Sequence, residues 1–169
     1  MTNRQLVVMR HAKAGPYTET DHERPLRARG TRDACDAGDY LAEISVVPDY
    51  ALVSTATRAA ETWKAVAAST GCAIKPHFRD DLYSADAWEV LELLQGVPAD
   101  FQQVMFVGHN PTAAELVDLL NDGEGDPEIE ERLLDGYPTA ALTVFDVAGA
   151  WTKLTDHSCR VTHFHVGRG

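Results

Sequence analysis

Gln103-Val104-Met105-Phe106-Val107-Gly108-His109-Asn110-Pro111 joins a continuous apolar run to a glycine, a histidine and a proline. A short run of this kind, bounded by turn residues, is the pattern of a strand covered on both faces, as in a sheet sandwiched by helices. Pro111 suits a first helical turn, and a helix through Leu120 is expected to follow. Working outward, Leu6-Val7-Val8-Met9 repeats the pattern and runs into Arg10-His11, and Ala51-Leu52-Val53 repeats it before Ser54. Met9 and Met105 are expected in the core.

Between these runs the spacing turns helical. Ala34, Ala37, Leu41 and Ile44 mark a helix from about 27 to 43, an Ala-rich helix is expected over 56–69 with Gly71 as its stop, and Trp88, Leu91 and Leu94 mark another over 86–94 ahead of Gly96. A polar loop is expected at 12–26, a brief strand at 73–75, and an acidic loop at 121–137. The tail reads as strands at 141–147 and 161–166, with a turn at Gly149 and a strand-like stretch at 151–154. Alternating strands and helices point to one α/β domain over 1–169: three layers, with a central, mostly parallel sheet and an antiparallel contribution.

The bulk numbers agree. The 169 residues are 44% apolar, which excludes disordered, collagen-like and small disulfide-scaffold classes. Fifteen Lys and Arg against 26 Asp and Glu leave a net charge of -11, which argues against nucleic acid and membrane surfaces as partners. No apolar run is long enough for a membrane span, and the opening MTNRQLVVMRH does not have the form of a secretion signal. Cys35, Cys72 and Cys159 lack paired spacing, so a reducing, cytoplasmic setting is expected.

Three apolar strands thus end in reactive side chains: Arg10-His11, Ser54 with Arg58 close behind, and His109. Ligands of α/β sheets gather beyond the carboxyl ends of strands. If these ends meet, two guanidiniums and two imidazoles surround one point. Arginine matches phosphoryl oxygens with a planar fork, a neutral imidazole is a nucleophile for phosphorus, and a second imidazole stabilises the transferring group. Ser54 lacks a nucleophile elbow and reads as a hydrogen-bonding residue.

The chain resembles the histidine phosphatase superfamily, with its phosphoglycerate mutase-like fold, and within it the SixA-type phosphohistidine phosphatases. Val8-Met9-Arg10-His11-Ala12-Lys13 is similar to the family's Arg-His-Gly signature, Arg24-Pro25-Leu26-Arg27-Ala28-Arg29-Gly30 to the segment opening the first helix, Val53-Ser54-Thr55-Ala56-Thr57-Arg58-Ala59-Ala60-Glu61-Thr62 to the Ser-Pro-x-x-Arg segment, and Gly108-His109-Asn110-Pro111 to the Gly-His-x-Pro element. The resemblance implies His11 as nucleophile, Arg10, Arg58 and His109 as phosphate-binding and catalytic partners, and chemistry that needs no metal or cofactor. Ala12 stands where Gly is usual and Thr55 where Pro is common. For the acid, Asp21 ahead of Arg24-Pro25-Leu26 is preferred and Asp81 is the runner-up; Lys13 and His22 are candidates for the mouth.

The implied activity is hydrolysis of a phosphoryl group through a phosphohistidine intermediate, on a phosphorylated protein or, alternatively, a small phosphorylated metabolite. A non-catalytic phospho-ligand-binding domain is the third reading, which the intact Arg10, His11, Arg58 and His109 set opposes. Two features draw the eye elsewhere. His157, Cys159, His163 and His165 would share one face of a straight strand, but their spacing fits no familiar zinc pattern, and ordinary packing is expected. The acidic stretch 115–135 is expected to be a solvated face.

Overall fold

The computed structural model describes residues 3–16 and 19–169; residues 17–18, inside the expected 12–26 loop, lie outside the description, as do residues 1–2 of the opening stretch. In chain order the elements are β1 (Arg4–Arg10), α1 (Ala28–Glu43), β2 (Tyr50–Ser54), α2 (Thr57–Thr70), β3 (His77–Arg79), α3 (Ala87–Gln95), β4 (Gln103–Gly108), α4 (Thr112–Leu120), α5 (Pro127–Leu134), β5 (Ala141–Val147) and β6 (Cys159–Val166). The strands form one sheet in the order β3-β2-β4-β1-β5-β6. The first four are mutually parallel, and β5 and β6 add antiparallel pairings beside β1.

Alternation along the strands builds two cores. Val7, Met9, Val53, Met105 and Val107 point toward α1 and α2, where Ala34, Ala37, Leu41, Trp63 and Val66 close one layer. Leu6, Val8, Leu52, Val104 and Phe106 point the other way, against α3 and α4, with Ile129 and Leu133 of α5 packed on the same side. The helix–sheet–helix sandwich follows from strands apolar on both faces. Gly71 ends α2 at φ 74°, and Asp86 starts α3 with a full capping box to Glu89.

Four expectations are corrected. The brief strand lies at β3, beyond Pro76, rather than at 73–75: a proline has no N–H for the ladder, and pairing with β2 begins at His77. The segment 121–137 contains a helix, α5, whose start is signalled by Asp126 accepting from the Glu128 N–H and by Pro127 in the first turn. The 151–154 stretch is a 3-10 turn, Trp151–Lys153; Trp151 and Leu154, three apart, both face the core, and the indole donates to the Phe101 carbonyl at 2.8 Å.

The last correction concerns the tail's odd-numbered residues. A register shift between Val144 and Phe145 lets β6 carry one extra residue. It turns Cys159, Val161 and Phe164 into one core, while His163 and His165 meet Tyr40 of α1 on the opposite face. His157 precedes the strand and caps the Asn121 carbonyl.

Candidate active site

Register brings the predicted residues together. Met9 pairs with Val107, and Val107 with Val53, so the next residues along, Arg10, Gly108 and Ser54, emerge level with one another from adjacent strands. Gly108 is required here, because a Cβ would stand 2.4 Å from the Phe106 ring. The chain can therefore turn tightly into His109, whose carbonyl accepts the Ala113 N–H at the start of α4, after a cis Asn110–Pro111 peptide.

His11 follows β1 and is only 7% exposed. Its Nδ1 lies 2.7 Å from the Ala12 carbonyl, which can only accept, so Nδ1 carries the proton and the neutral ring keeps its lone pair on Nε2. Burial, joined by the charges of Arg58, Arg10 and Arg24, lowers the His11 pKa to about 4. The His11 main chain is fixed at both ends, its N–H to the Gly108 carbonyl and its carbonyl to the Ala140 N–H. Ala12 takes no positive φ among the described residues, and its N–H donates to Thr62 Oγ1, tying the loop to α2. Gly30 of α1 lets that loop sit close, since a Cβ there would meet the Lys13 carbonyl oxygen at 2.1 Å.

The His109 ring stands 5.2 Å from that of His11. Its Nε2 is 2.8 Å from Ser54 Oγ, confirming Ser54 as a hydrogen-bonding residue. Ser54 Oγ accepts the Ala56 N–H, and among the described residues its own hydrogen has no acceptor other than His109 Nε2; donated there, it puts the ring proton on Nδ1. That Nδ1 is buried and meets no hydrogen-bond partner among the described residues. Burial, the neighbouring His11 and Arg58 lower the His109 pKa to about 3. Both rings are therefore neutral near pH 7: one presents a lone pair, the other an N–H.

Two guanidiniums complete the anion pocket. Arg58, 6% exposed, donates from Nε to His11 Nε2 at 3.3 Å, from Nη1 to the Asp21 carbonyl at 2.7 Å and from Nη2 to Asp21 Oδ2 at 3.0 Å. Arg10 donates to the Tyr137 carbonyl at 3.1 Å, and its Nε has no partner among the described residues. The same carbonyl receives Asn110 Nδ2, so Tyr137, anchored through its hydroxyl to the Val8 carbonyl, fixes Arg10 and the turn after β4 together.

The two candidate acids part company. Asp21 sits in the pocket, ion-paired to Arg58 and to Arg24, and accepts from the Tyr83 hydroxyl at 2.5 Å. The tyrosine hydrogen bond above all, then Arg58 and Arg24, hold its pKa down at about 2, against the opposing effect of burial. Asp81 is exposed and takes a two-pronged bond from Arg79, at 2.9 and 2.6 Å; among the described residues nothing links it to His11, Arg58 or His109. His22 borders the site through Thr55 Oγ1 at 3.0 Å, whereas the Lys13 side chain is exposed. Tyr83 was invisible to periodicity: a 3-10 turn, Asp80–Tyr83, buries Leu82 and delivers the next residue to the pocket.

Residues 6–135 match the family model of the histidine phosphatase superfamily (branch 1). An uncharacterised Mycobacterium tuberculosis protein is 36% identical over 162 residues, 95% of this chain and 100% of that relative. Among solved structures, a candidate phosphohistidine phosphatase SixA from Nakamurella multipartitia is similar with a TM-score of 0.84 and 31% identity, covering 98% of this chain and 96% of that one. A second SixA candidate, from Agrobacterium tumefaciens, gives 0.80 and 29%, over 96% and 97%.

Proposed function

Because the chain belongs to the histidine phosphatase superfamily, branch 1, we propose that it hydrolyses a phosphoryl group carried by the histidine of another protein, with His11 as nucleophile. One observation carries the reading: two neutral imidazoles 5.2 Å apart, the buried His11 offering the Nε2 lone pair and the half-buried His109 an unpartnered Nδ1–H, beside the buried Arg58 and the half-buried Arg10. A phosphoryl group needs one attacking pair and several donors for its equatorial oxygens, and this set supplies both.

In the first step His11 Nε2 bonds to phosphorus as the substrate's bond to phosphorus breaks, its electron pair leaving with the departing atom. Arg10, Arg58 and His109 Nδ1–H hold the oxygens. Water then attacks phosphorus, the bond to His11 Nε2 breaks, and both water hydrogens leave with the phosphate. Asp21, ionised, keeps Arg58 in place and orients that water; Asp81 is the second candidate. The arginines act as a local positive focus within an overall charge of -11.

Similarity to SixA candidates supports phosphohistidine over a small phosphomonoester as substrate. Free thiols at Cys35, Cys72 and Cys159 support action in a reducing, cytoplasmic setting, and the family match over residues 6–135 supports one histidine phosphatase domain over 1–169. The test is phosphate release from a phosphohistidine protein beside phosphoserine peptides and a sugar phosphate panel. The phosphohistidine protein is expected to lead in kcat/KM by roughly a hundredfold or more, about 3 kcal/mol of transition-state selectivity. His11→Ala is expected to abolish release, and a sugar phosphate in the lead overturns the protein-substrate reading.

A further inference from the structure

Tyr83 meets four residues of the pocket: Asp21, His22, Arg58 and His109. Its hydroxyl donates to Asp21 Oδ2, its ring lies edge-on to His109 with centroids 5.5 Å apart and to His22 at 5.0 Å, and the Arg58 guanidinium carbon is 5.8 Å from its centroid. Asp21 is engaged by these neighbours at both carboxylate oxygens and at its main-chain carbonyl. Oδ2 accepts from Tyr83 and Arg58, Oδ1 from Arg24, and the main-chain carbonyl from Arg58 again. His22, the next titratable group, is engaged with Thr55.

We propose that Tyr83 is a positioning residue that commits Asp21 to Arg58, so that the pocket keeps no protonated carboxylic acid and selects substrates whose leaving group brings its own proton, a phosphorylated imidazolium, over phosphate esters of alkyl alcohols. The proposal rests on the phosphatase reading above. When the substrate's N–P bond breaks and the His11 N–P bond forms, the electron pair stays on the departing ring nitrogen. The proton already on the ring's other nitrogen makes the product neutral imidazole. The same step on an alkyl phosphate releases an alkoxide, which must take a proton at once; the Asp21 carboxylate has none, and the phenol's is held by Asp21. General acid help of the kind withheld here is worth roughly 10²–10⁴-fold. The depressed Asp21 pKa of about 2, with Tyr83 as its leading cause, agrees with this arrangement.

The test compares phosphoimidazole with glycerol phosphate in the wild type, Tyr83→Phe and Asp21→Asn, across pH. The wild type is expected to favour phosphoimidazole by at least about 10²-fold in kcat/KM. Tyr83→Phe lets Asp21 titrate higher, so the preference falls by about tenfold near pH 5 and glycerol phosphate turnover gains a limb that declines as pH rises. Adding Asp21→Asn to Tyr83→Phe removes that limb, a non-additive pair. Asp21→Asn alone reads the linkage from its other end: Tyr83 ionisation, followed by ultraviolet absorbance, moves down from its raised position toward the ordinary phenol range, whether or not Tyr83→Phe folds. A Tyr83→Phe preference and pH profile identical to wild type, or an unmoved phenol titration, overturns the proposal. Labelling of His11 by phosphoimidazole separates the two readings. Label in the wild type with an unmoved preference in Tyr83→Phe removes the tyrosine proposal alone, and no label in the wild type removes both.

Discussion

His109 leaves β4 into a corner where its buried Nδ1 meets no protein acceptor among the described residues, whereas His165, on β6, is stacked on Tyr40 at 4.1 Å and bonded to Asp36 at 2.9 Å. His163 beside it is likewise engaged, with Thr162 at 2.9 Å. The residue type is the same; the sheet geometry differs. In the parallel half, three strands end level and aim their last residues at one point, beside the starts of α2 and α4. In the antiparallel half, the histidines lie on a strand face and meet side chains that satisfy them. Unsatisfied capacity, rather than the presence of histidine, marks the site.

The largest break between the halves is expected in catalysis. His109→Ala removes a donor to the transferring group and is expected to lower kcat/KM by roughly 10²–10³-fold. His165→Ala, measured in the same phosphate-release assay, is expected to stay within about twofold of wild type. Comparable losses in both would erase the distinction.

A smaller, thermodynamic contrast follows from burial. Both His11 and His109 have folded pKa values below the unfolded 6.5, at about 4 and about 3. As pH falls below 6.5 the unfolded chain takes up protons that the folded pocket refuses. Stability therefore declines with acidification until the folded rings also protonate. Between pH 7 and pH 5 each ring costs about 2 kcal/mol of stability. Urea unfolding at the two pH values checks this: the pH slope should shrink when His11 or His109 is replaced by Phe. A slope unchanged in both variants would place their titration elsewhere.

The same contrast explains what could be read from the sequence. Val104 to Val107 and Leu6 to Met9 are apolar on both faces, so their place at the centre of a sandwiched sheet was legible, as were Arg10, His11, Arg58 and His109. That Arg10, Ser54 and His109 converge depends on register, Met9 against Val107 against Val53, and strand pairing leaves no trace in local pattern. Resemblance to a family supplied it instead. Tyr83 and the Asp21 lock stayed hidden because they arise from a turn meeting a loop 62 positions earlier in the chain. The tail misled for a related reason: one inserted residue at the bulge reverses which face each histidine uses, and alternation carries no mark of it. The α5 helix, by contrast, is signalled by Asp126-Pro127, within a stretch whose acidic composition is equally that of a loop.

The central claim is that His11 carries the phosphoryl group in transit. Rapid-quench labelling with a ³²P-phosphohistidine protein, stopped in alkali where phosphohistidine persists, and peptide mapping of the product tests it most directly. Wild type should place label on the peptide containing His11 within the first turnover, and His11→Ala should place none while remaining folded by circular dichroism. Phosphate release by wild type with no label on His11, or equal turnover by His11→Ala, would contradict the account.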